Sequence, residues 1–169
     1  MNRLWSPWRS KYIESFVHDG DGKEAGCIFC AKISSKDDES NLVVHRSSHS
    51  LIMMNLYPYN SGHLMVVPFG HKAAFEDLTG EENADVMRET RLSIEMLRLA
   101  LHPDGFNFGA NLGRVSGAGI ADHIHFHIVP RWNGDTNFMP VLADTKIISE
   151  EMKDTWKKLV NTLSSIRHG

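Results

Sequence analysis

Between His123 and Val129 three imidazoles alternate with bulky apolar side chains, in the order His123, Ile124, His125, Phe126, His127, Ile128. Successive residues of a strand point to opposite faces, whereas residues two apart on a helix do not face each other. The run therefore predicts a strand with His123, His125 and His127 on one face and Ile124, Phe126 and Ile128 on the other. Burial of the apolar face stabilises the strand and leaves three imidazoles in a row along a sheet. Three ordered histidines add nothing to a hydrophobic core, so the row reads as a chemical site.

The rest of the chain limits what that site can serve. With 169 residues, 41% of them hydrophobic, the chain can bury a core as one domain spanning 1–169. A net charge of -3 argues against a nucleic-acid polymer as the main partner, which selects for a basic face. It leaves room for a small nucleotide held at a local phosphate site. No long apolar run and no signal-like segment stands out, so the expected location is cytoplasmic, away from membranes. The two cysteines, Cys27 and Cys30, form a single Cys-x-x-Cys. In that compartment the spacing reads as metal or redox chemistry, not as a structural disulfide.

An aromatic and basic arm over about residues 1–16, with Trp5, Trp8, Arg9 and Tyr12, is expected to drape over the body or a partner subunit. Polar loops follow to Gly26 and again over Ser34–Asn41. β-rich runs at Leu42–His45, Leu51–Asn55 and His63–Pro68 predict three strands. Gly105–Gly113 is expected as a fourth, and His123–Arg131 as a fifth. Thr79 followed by Glu82 has capping-box spacing and opens a helix with Val86, Thr90, Ile94, Leu97 and Leu101 three or four apart. Ser149 is expected to cap a terminal helix, about 149–167, with Met152, Trp156, Leu159, Leu163 and Ile166 on one stripe. Strands joined by short turns, with helices packed on them, indicate an α+β fold.

The pattern His-φ-His-φ-His-φ-φ, with φ apolar, resembles the signature of the histidine-triad (HIT) superfamily of nucleotide hydrolases and transferases. The stretch Asn55 to His63, followed by Leu64-Met65-Val66-Val67-Pro68, is similar to that family's nucleotide-side strand pair. Pro130-Arg131-Trp132-Asn133-Gly134-Asp135 and the opening Trp5-Ser6-Pro7-Trp8-Arg9 resemble the branch of bacterial diadenosine polyphosphate phosphorylases and hydrolases. The similarity runs from about residue 2 to residue 150. It implies a five-stranded antiparallel sheet with packed helices, pairing as a symmetric dimer. It also implies cleavage of diadenosine tetraphosphate-type substrates through a nucleotidyl adduct on the middle histidine, His125, with phosphate or water as acceptor. An adenosine phosphoramidase, or a nucleotide-binding regulator of low turnover, would use the same residues.

A histidine nucleophile needs one bare nitrogen, with the other tied through its proton to an acceptor. His127 and the loop Ser116-Gly117-Ala118-Gly119 can then stabilise phosphoryl charge. By the resemblance, His63 and His123 complete the histidine network and Asn55 holds the ribose. Met53 flanks the base, and Asn111 contacts phosphate or the scissile oxygen. Asn111 lies twelve residues before His123, one further than in other branches. Where relatives place a hydroxyl just before the triad, this chain has Gly119-Ile120-Ala121, which shifts that role to backbone groups or to Ser116. Cys27 and Cys30 make half of a tetrahedral zinc site. The resemblance completes it with His71 and His123 as a structural zinc, while His45 and His49 compete with His71, and a redox pair competes with the metal. No organic cofactor is expected, and magnesium would arrive with the nucleotide.

Overall fold

The computed structural model describes residues 26–135 and 151–168. Strands β1 (Val43–Arg46), β2 (Ser50–Met54), β3 (Leu64–Pro68), β4 (Gly105–Gly109) and β5 (Phe126–Arg131) form one sheet in the order β1-β2-β3-β5-β4. Each neighbouring pair is antiparallel. Among the described residues three α-helices accompany it: α1 (Ile28–Ser34), α2 (Gly80–Leu101) and α3 (Met152–His168). The α+β expectation holds. Among the described residues, no helix is long and apolar enough to cross a membrane.

Alternation along the strands divides the core between two faces. Val44, Ile52, Met54, Leu64, Val66, Phe126 and Ile128 pack against Val86, Met96 and Leu97 of α2 and Leu159 and Leu163 of α3. Val43, Leu51, Met53, Met65 and Val67 form the opposite layer with Phe29 of α1. His127 pairs across from Met65 and therefore stands on this second face. One face of the sheet carries α2 and α3, and the other carries the histidines together with α1.

The Thr79 hydroxyl accepts from the Glu82 amide at 3.2 Å, and the Glu82 carboxylate accepts from the Thr79 amide at 2.7 Å. The expected capping box thus starts α2. Its buried stripe contains Val86, Thr90 and Leu97 as the spacing predicted, but also Asp85, Glu89 and Ser93. Asp85 accepts from both Ser47 and Ser50 hydroxyls, the His49 amide and Arg88, fastening the β1–β2 turn to the helix. Burial pushes the Asp85 carboxyl up, but these donors outweigh it and hold it below the usual carboxylate range. One turn on, Glu89 Oε2 has no hydrogen-bond partner; its nearest cationisable neighbour, His45 Nε2, is 3.6 Å away. Burial first, and the Asp85 charge second, push Glu89 up against the opposing effect of Arg88 and Arg167.

Besides one-residue shifts at the end of β1, at both ends of β2 and at the start of β3, three predicted boundaries differ. β4 ends at Gly109, not Gly113; its last pair is Gly109↔His127, and further on Gly113 and Gly117 take φ of 78° and 91° as the chain curls into a 3-10 turn at Arg114–Ser116. β5 begins at Phe126, not His123: the Ile124 amide bonds the Lys72 carbonyl at 2.7 Å, beyond the β3 ladder, which starts at Val66↔Phe126. β1 begins at Val43 because Leu42 has φ of 57°, outside the strand region. The terminal helix expected from Ser149 is α3, seen from Met152; Ser149 and the arm over 1–16 lie outside the described residues.

Glu89 makes the pH dependence of stability testable. Its folded pKa lies above the ordinary 4.5, so the unfolded chain releases this proton first. Stability present at acidic pH is therefore lost as pH rises from the unfolded value through the folded one. Glu89→Gln should raise stability at pH 7 by about 1 kcal/mol, or roughly 2–4 °C in melting temperature, with the gain fading toward pH 4. Thermal melts at the two pH values check this; a gain independent of pH would contradict it.

Candidate active site

Buried imidazoles are oriented by their hydrogen bonds, and here the network assigns every tautomer. His63 is fully buried at the start of β3, where the Tyr59 amide donates to its Nδ1 at 3.1 Å, with Asn55 Nδ2 at 3.4 Å. An amide can only donate, so the His63 proton sits on Nε2 and points at His127 Nδ1, 3.0 Å away. Neutral His127 must then carry its own proton on Nε2. Tyr59 covers the pair, its ring stacked on His63 at 4.9 Å between centroids.

The other two histidines are set from the opposite direction. His125 donates from Nδ1 to the His123 carbonyl at 2.9 Å, which leaves Nε2 bare. It is 7% exposed, and burial pushes its pKa down, so the neutral ring is favoured. Its ring lies 4.9 Å from that of His127, centroid to centroid. A bare nitrogen and a protonated one thus occur side by side. His123 donates from Nε2 to the Pro68 carbonyl at 2.9 Å, turning a bare Nδ1 toward Cys27 Sγ (3.3 Å), Cys30 Sγ (3.6 Å) and His71 Nδ1 (3.3 Å).

These four ligand atoms lie within 4.8 Å of one another and could hold a metal ion. Zinc bonds of ~2.1 Å to nitrogen and ~2.3 Å to sulfur give tetrahedral edges of roughly 3.4–3.8 Å, close to the observed separations. Two thiols, the bare Nδ1 of His123 and the Nδ1 of His71 suit zinc in chemistry as well as in size. Cys27 caps α1 and Cys30 follows one turn later, so both sulfurs emerge at the same end. His45 and His49 lie elsewhere, beside Glu89 and Glu81 respectively. Between the cysteines, Phe29 turns inward at 2% exposure and packs its ring 5.4 Å from His123 and 4.9 Å from His125. Arg46 holds the other end of α1 by donating to the carbonyls of Lys32, Ile33 and Ser35 and to Asp38.

A groove of about 530 Å³ opens beside His127, walled by Tyr59, Asn60, Asn111, Ser116 and Arg131. Asn111 reaches the site from beyond the end of β4, not from within the expected strand, and Ser116 reaches it from the 3-10 turn that opens the expected loop. The Ser116 hydroxyl turns back to the carbonyls of Leu112 and Gly113, at 2.8 and 2.7 Å. Gly117 takes the left-handed conformation, and Ala118 and Gly119 follow it toward the triad. Asn55 stands behind His63, its Oδ1 accepting from the Tyr57 amide, and Met53 is buried in the core layer beneath.

The sequence profile of the HIT domain matches residues 36–134. The chain belongs to the HIT domain family. It is 38% identical over 161 residues to the AP-4-A phosphorylase of Mycobacterium tuberculosis, covering 94% of this chain and 83% of that protein. It is also 29% identical over 127 residues to an adenosine 5'-monophosphoramidase of Schizosaccharomyces pombe, covering 75% of this chain and 90% of that one. Among solved structures, a zinc-bound histidine triad family protein of Mycobacterium smegmatis superposes with a TM-score of 0.69 at 25% identity, over 85% of this chain and 96% of that one. A hypothetical histidine triad nucleotide-binding protein of Sulfolobus tokodaii shares the fold, with a TM-score of 0.68 at 22% identity, over 83% of this chain and 94% of that one.

Several residues of this HIT chain carry no motif signal. Tyr59 acts through its backbone amide, which no side-chain pattern reports. Phe29 hides inside the Cys-x-x-Cys, where its inward orientation depends on α1 being a helix. Arg46 reads as an ordinary strand-end cation, yet it anchors the cysteine helix. Arg46→Ala should cost about 2–3 kcal/mol, because several charge-assisted bonds vanish together. The check is a lowered denaturant midpoint at unchanged slope. Arg46→Lys should recover only part of the loss, since an ammonium cannot fork among these acceptors.

Proposed function

We propose that this HIT enzyme cleaves dinucleoside polyphosphates of the diadenosine tetraphosphate type through a nucleotidyl adduct on His125. The pairing of a bare His125 Nε2 with a proton-bearing His127 Nε2 carries this reading. In the first step the His125 Nε2 lone pair forms a bond to the α-phosphorus. The bond from that phosphorus to the bridging oxygen breaks, its electron pair leaves with the departing polyphosphate, and the His127 Nε2 proton goes to that oxygen. In the second step an oxygen of inorganic phosphate or water attacks the same phosphorus, the bonding pair returns to His125, and the proton carried by the attacking oxygen goes to His127 Nε2, which restores it. Phosphate as acceptor gives ADP and ATP; water gives AMP and ATP.

His63 acts in this scheme by holding His127 in the required tautomer, and the His123 carbonyl does the same for His125. Asn111, Ser116 and the backbone of Gly117, Ala118 and Gly119 contribute polarity near the transferring phosphoryl group. Asn55 is proposed to take the ribose hydroxyls, and Met53 to back the base. Zinc held by Cys27, Cys30, His71 and His123 would supply structure, tying α1 to the triad segment. Pairing as a symmetric dimer belongs to the same reading. The similarity to an adenosine 5'-monophosphoramidase favours a second reading, cleavage of an adenylyl–amine bond by the same two histidines.

The deciding experiment incubates diadenosine tetraphosphate with and without inorganic phosphate and resolves the products by chromatography. The relationship to an AP-4-A phosphorylase favours ADP plus ATP appearing only with phosphate. AMP plus ATP in both tubes makes water the acceptor. No cleavage in either tube, with adenosine phosphoramidate consumed, would overturn the substrate assignment. His125→Ala should lower kcat by on the order of 10⁴-fold or more while nucleotide binding persists. Elemental analysis should find about one zinc per chain, a content that Cys30→Ser abolishes along with part of the thermal stability.

A further inference from the structure

Arg131 ends β5, on the same face as His127 and in the same groove. Among the described residues it is the one charged side chain lining that groove. Its guanidinium is tightly held: Nε and Nη2 donate to the Asp135 carboxylate at 2.6 and 2.8 Å, and Nη1 donates to Asn107 Oδ1 at 2.8 Å. Asp135 is itself fixed by Asn60 Nδ2 at 2.9 Å and by the Trp132 amide at 3.1 Å. A guanidinium has five N–H donors, and these three bonds leave two for another acceptor.

The position of this fork follows from the register. Asn107 pairs with Val129, and Gly109 pairs with His127. Bonding to Asn107 therefore draws the guanidinium back to about the level of Val129, two residues along the strand from His127. Two residues of strand rise span about 7 Å. His125, His127 and Arg131 thus lie in order along one direction. A phosphorus attacked by His125, with its leaving oxygen at His127, would send any further phosphoanhydride chain along the groove toward Arg131. An amine or another short leaving group would end before reaching it.

We infer that Arg131 is a specificity-determining residue that reads the distal phosphates of the polyphosphate leaving group, so that substrates with a long phosphate chain are preferred. This rests on the proposed cleavage at His125 and deepens it. Asp135 and Asn107 hold the guanidinium extended over the groove, where planar N–H donors match phosphate oxygens.

The test compares diadenosine tetraphosphate with adenosine phosphoramidate in the wild type and in Arg131→Gln, Arg131→Lys and Asp135→Asn. Arg131→Gln should lower kcat/KM for the tetraphosphate by roughly 10–100-fold while changing the phosphoramidate value less than about threefold. Arg131→Lys should recover part of the difference. Asp135→Asn loosens the same loop but keeps the cation, and should leave the substrate ratio nearer the wild type. In a His125→Ala background, Arg131→Gln should also narrow the ratio of ATP to AMP affinity measured by calorimetry. Equal losses on both substrates, or a selective loss reproduced by Asp135→Asn, would reduce Arg131 to a structural part and overturn the inference. Wild-type protein that cleaves no polyphosphate would instead sink the underlying cleavage reading. Turnover of the tetraphosphate with an unmoved ratio in Arg131→Gln would sink this inference alone.

Discussion

A neutral imidazole taken out of water must place one donor and one acceptor, and this chain buries His63, His123 and His125 while leaving only part of His127 exposed. That requirement organises the histidine face of the sheet. Two chains of assignment meet there. One starts at the Tyr59 amide and passes through His63 to His127; the other starts at the Pro68 and His123 carbonyls and sets His123 and His125. Each begins on the backbone, which cannot exchange its donor or acceptor role. The tautomers therefore follow from where the main chain runs, and the opposite protonation of adjacent Nε2 atoms follows from the tautomers.

The same constraint bears on why His123 and His125 lie outside the β5 ladder while His127 lies within it. If His123 lay in the β3–β5 ladder, its backbone would join the cross-strand hydrogen bonds. Outside the ladder, the His123 carbonyl accepts from its own neighbour two residues on, and the Ile124 amide reaches Lys72 instead. Leaving the sheet early also brings His123 over α1, where Cys27, Cys30 and His71 converge. The cluster that could hold a metal and the orientation of His125 thus share one residue, His123, through its ring nitrogen and its backbone carbonyl. Phe29 joins them a second time, by packing on both rings.

Stability is gathered on the opposite face. There α2 and α3 cover a dry layer of strand residues, interrupted by Asp85 and Glu89 on the buried side of α2. Asp85 is amply satisfied and fastens the β1–β2 turn. Glu89 is not, and it lies between the His45 ring and a second carboxylate. Trp156 and Arg167 dock α3 by bonding the Val43 carbonyl and the His45 ring. The division sets the polar arrangement of donors on the histidine face, over the smaller apolar layer of Phe29, Val43, Leu51, Met53, Met65 and Val67.

Alternation in the stretch His123 to Ile128 was enough to assign faces, since the period of two survives wherever the backbone is extended, in a ladder or not. The capping box at Thr79 and Glu82 was legible because its contacts are local. So was the pairing of Cys27 with Cys30 as one half of a ligand set. Strand ends were less so: Gly109 and Gly113 look alike in sequence, yet the strand stops at the first and the second turns with a positive φ into the 3-10 turn at Arg114–Ser116. The choice of His71 over His45 and His49, the inward turn of Phe29, the Tyr59 amide on His63 and the fork of Arg131 all join residues far apart in the chain or act through the backbone. Sequence by itself determined the alternating faces, the helix start and the kinds of chemical group available. Tertiary structure decided which groups meet and which nitrogen carries each proton, because a hydrogen bond selects its partner by distance and direction and not by spacing along the chain.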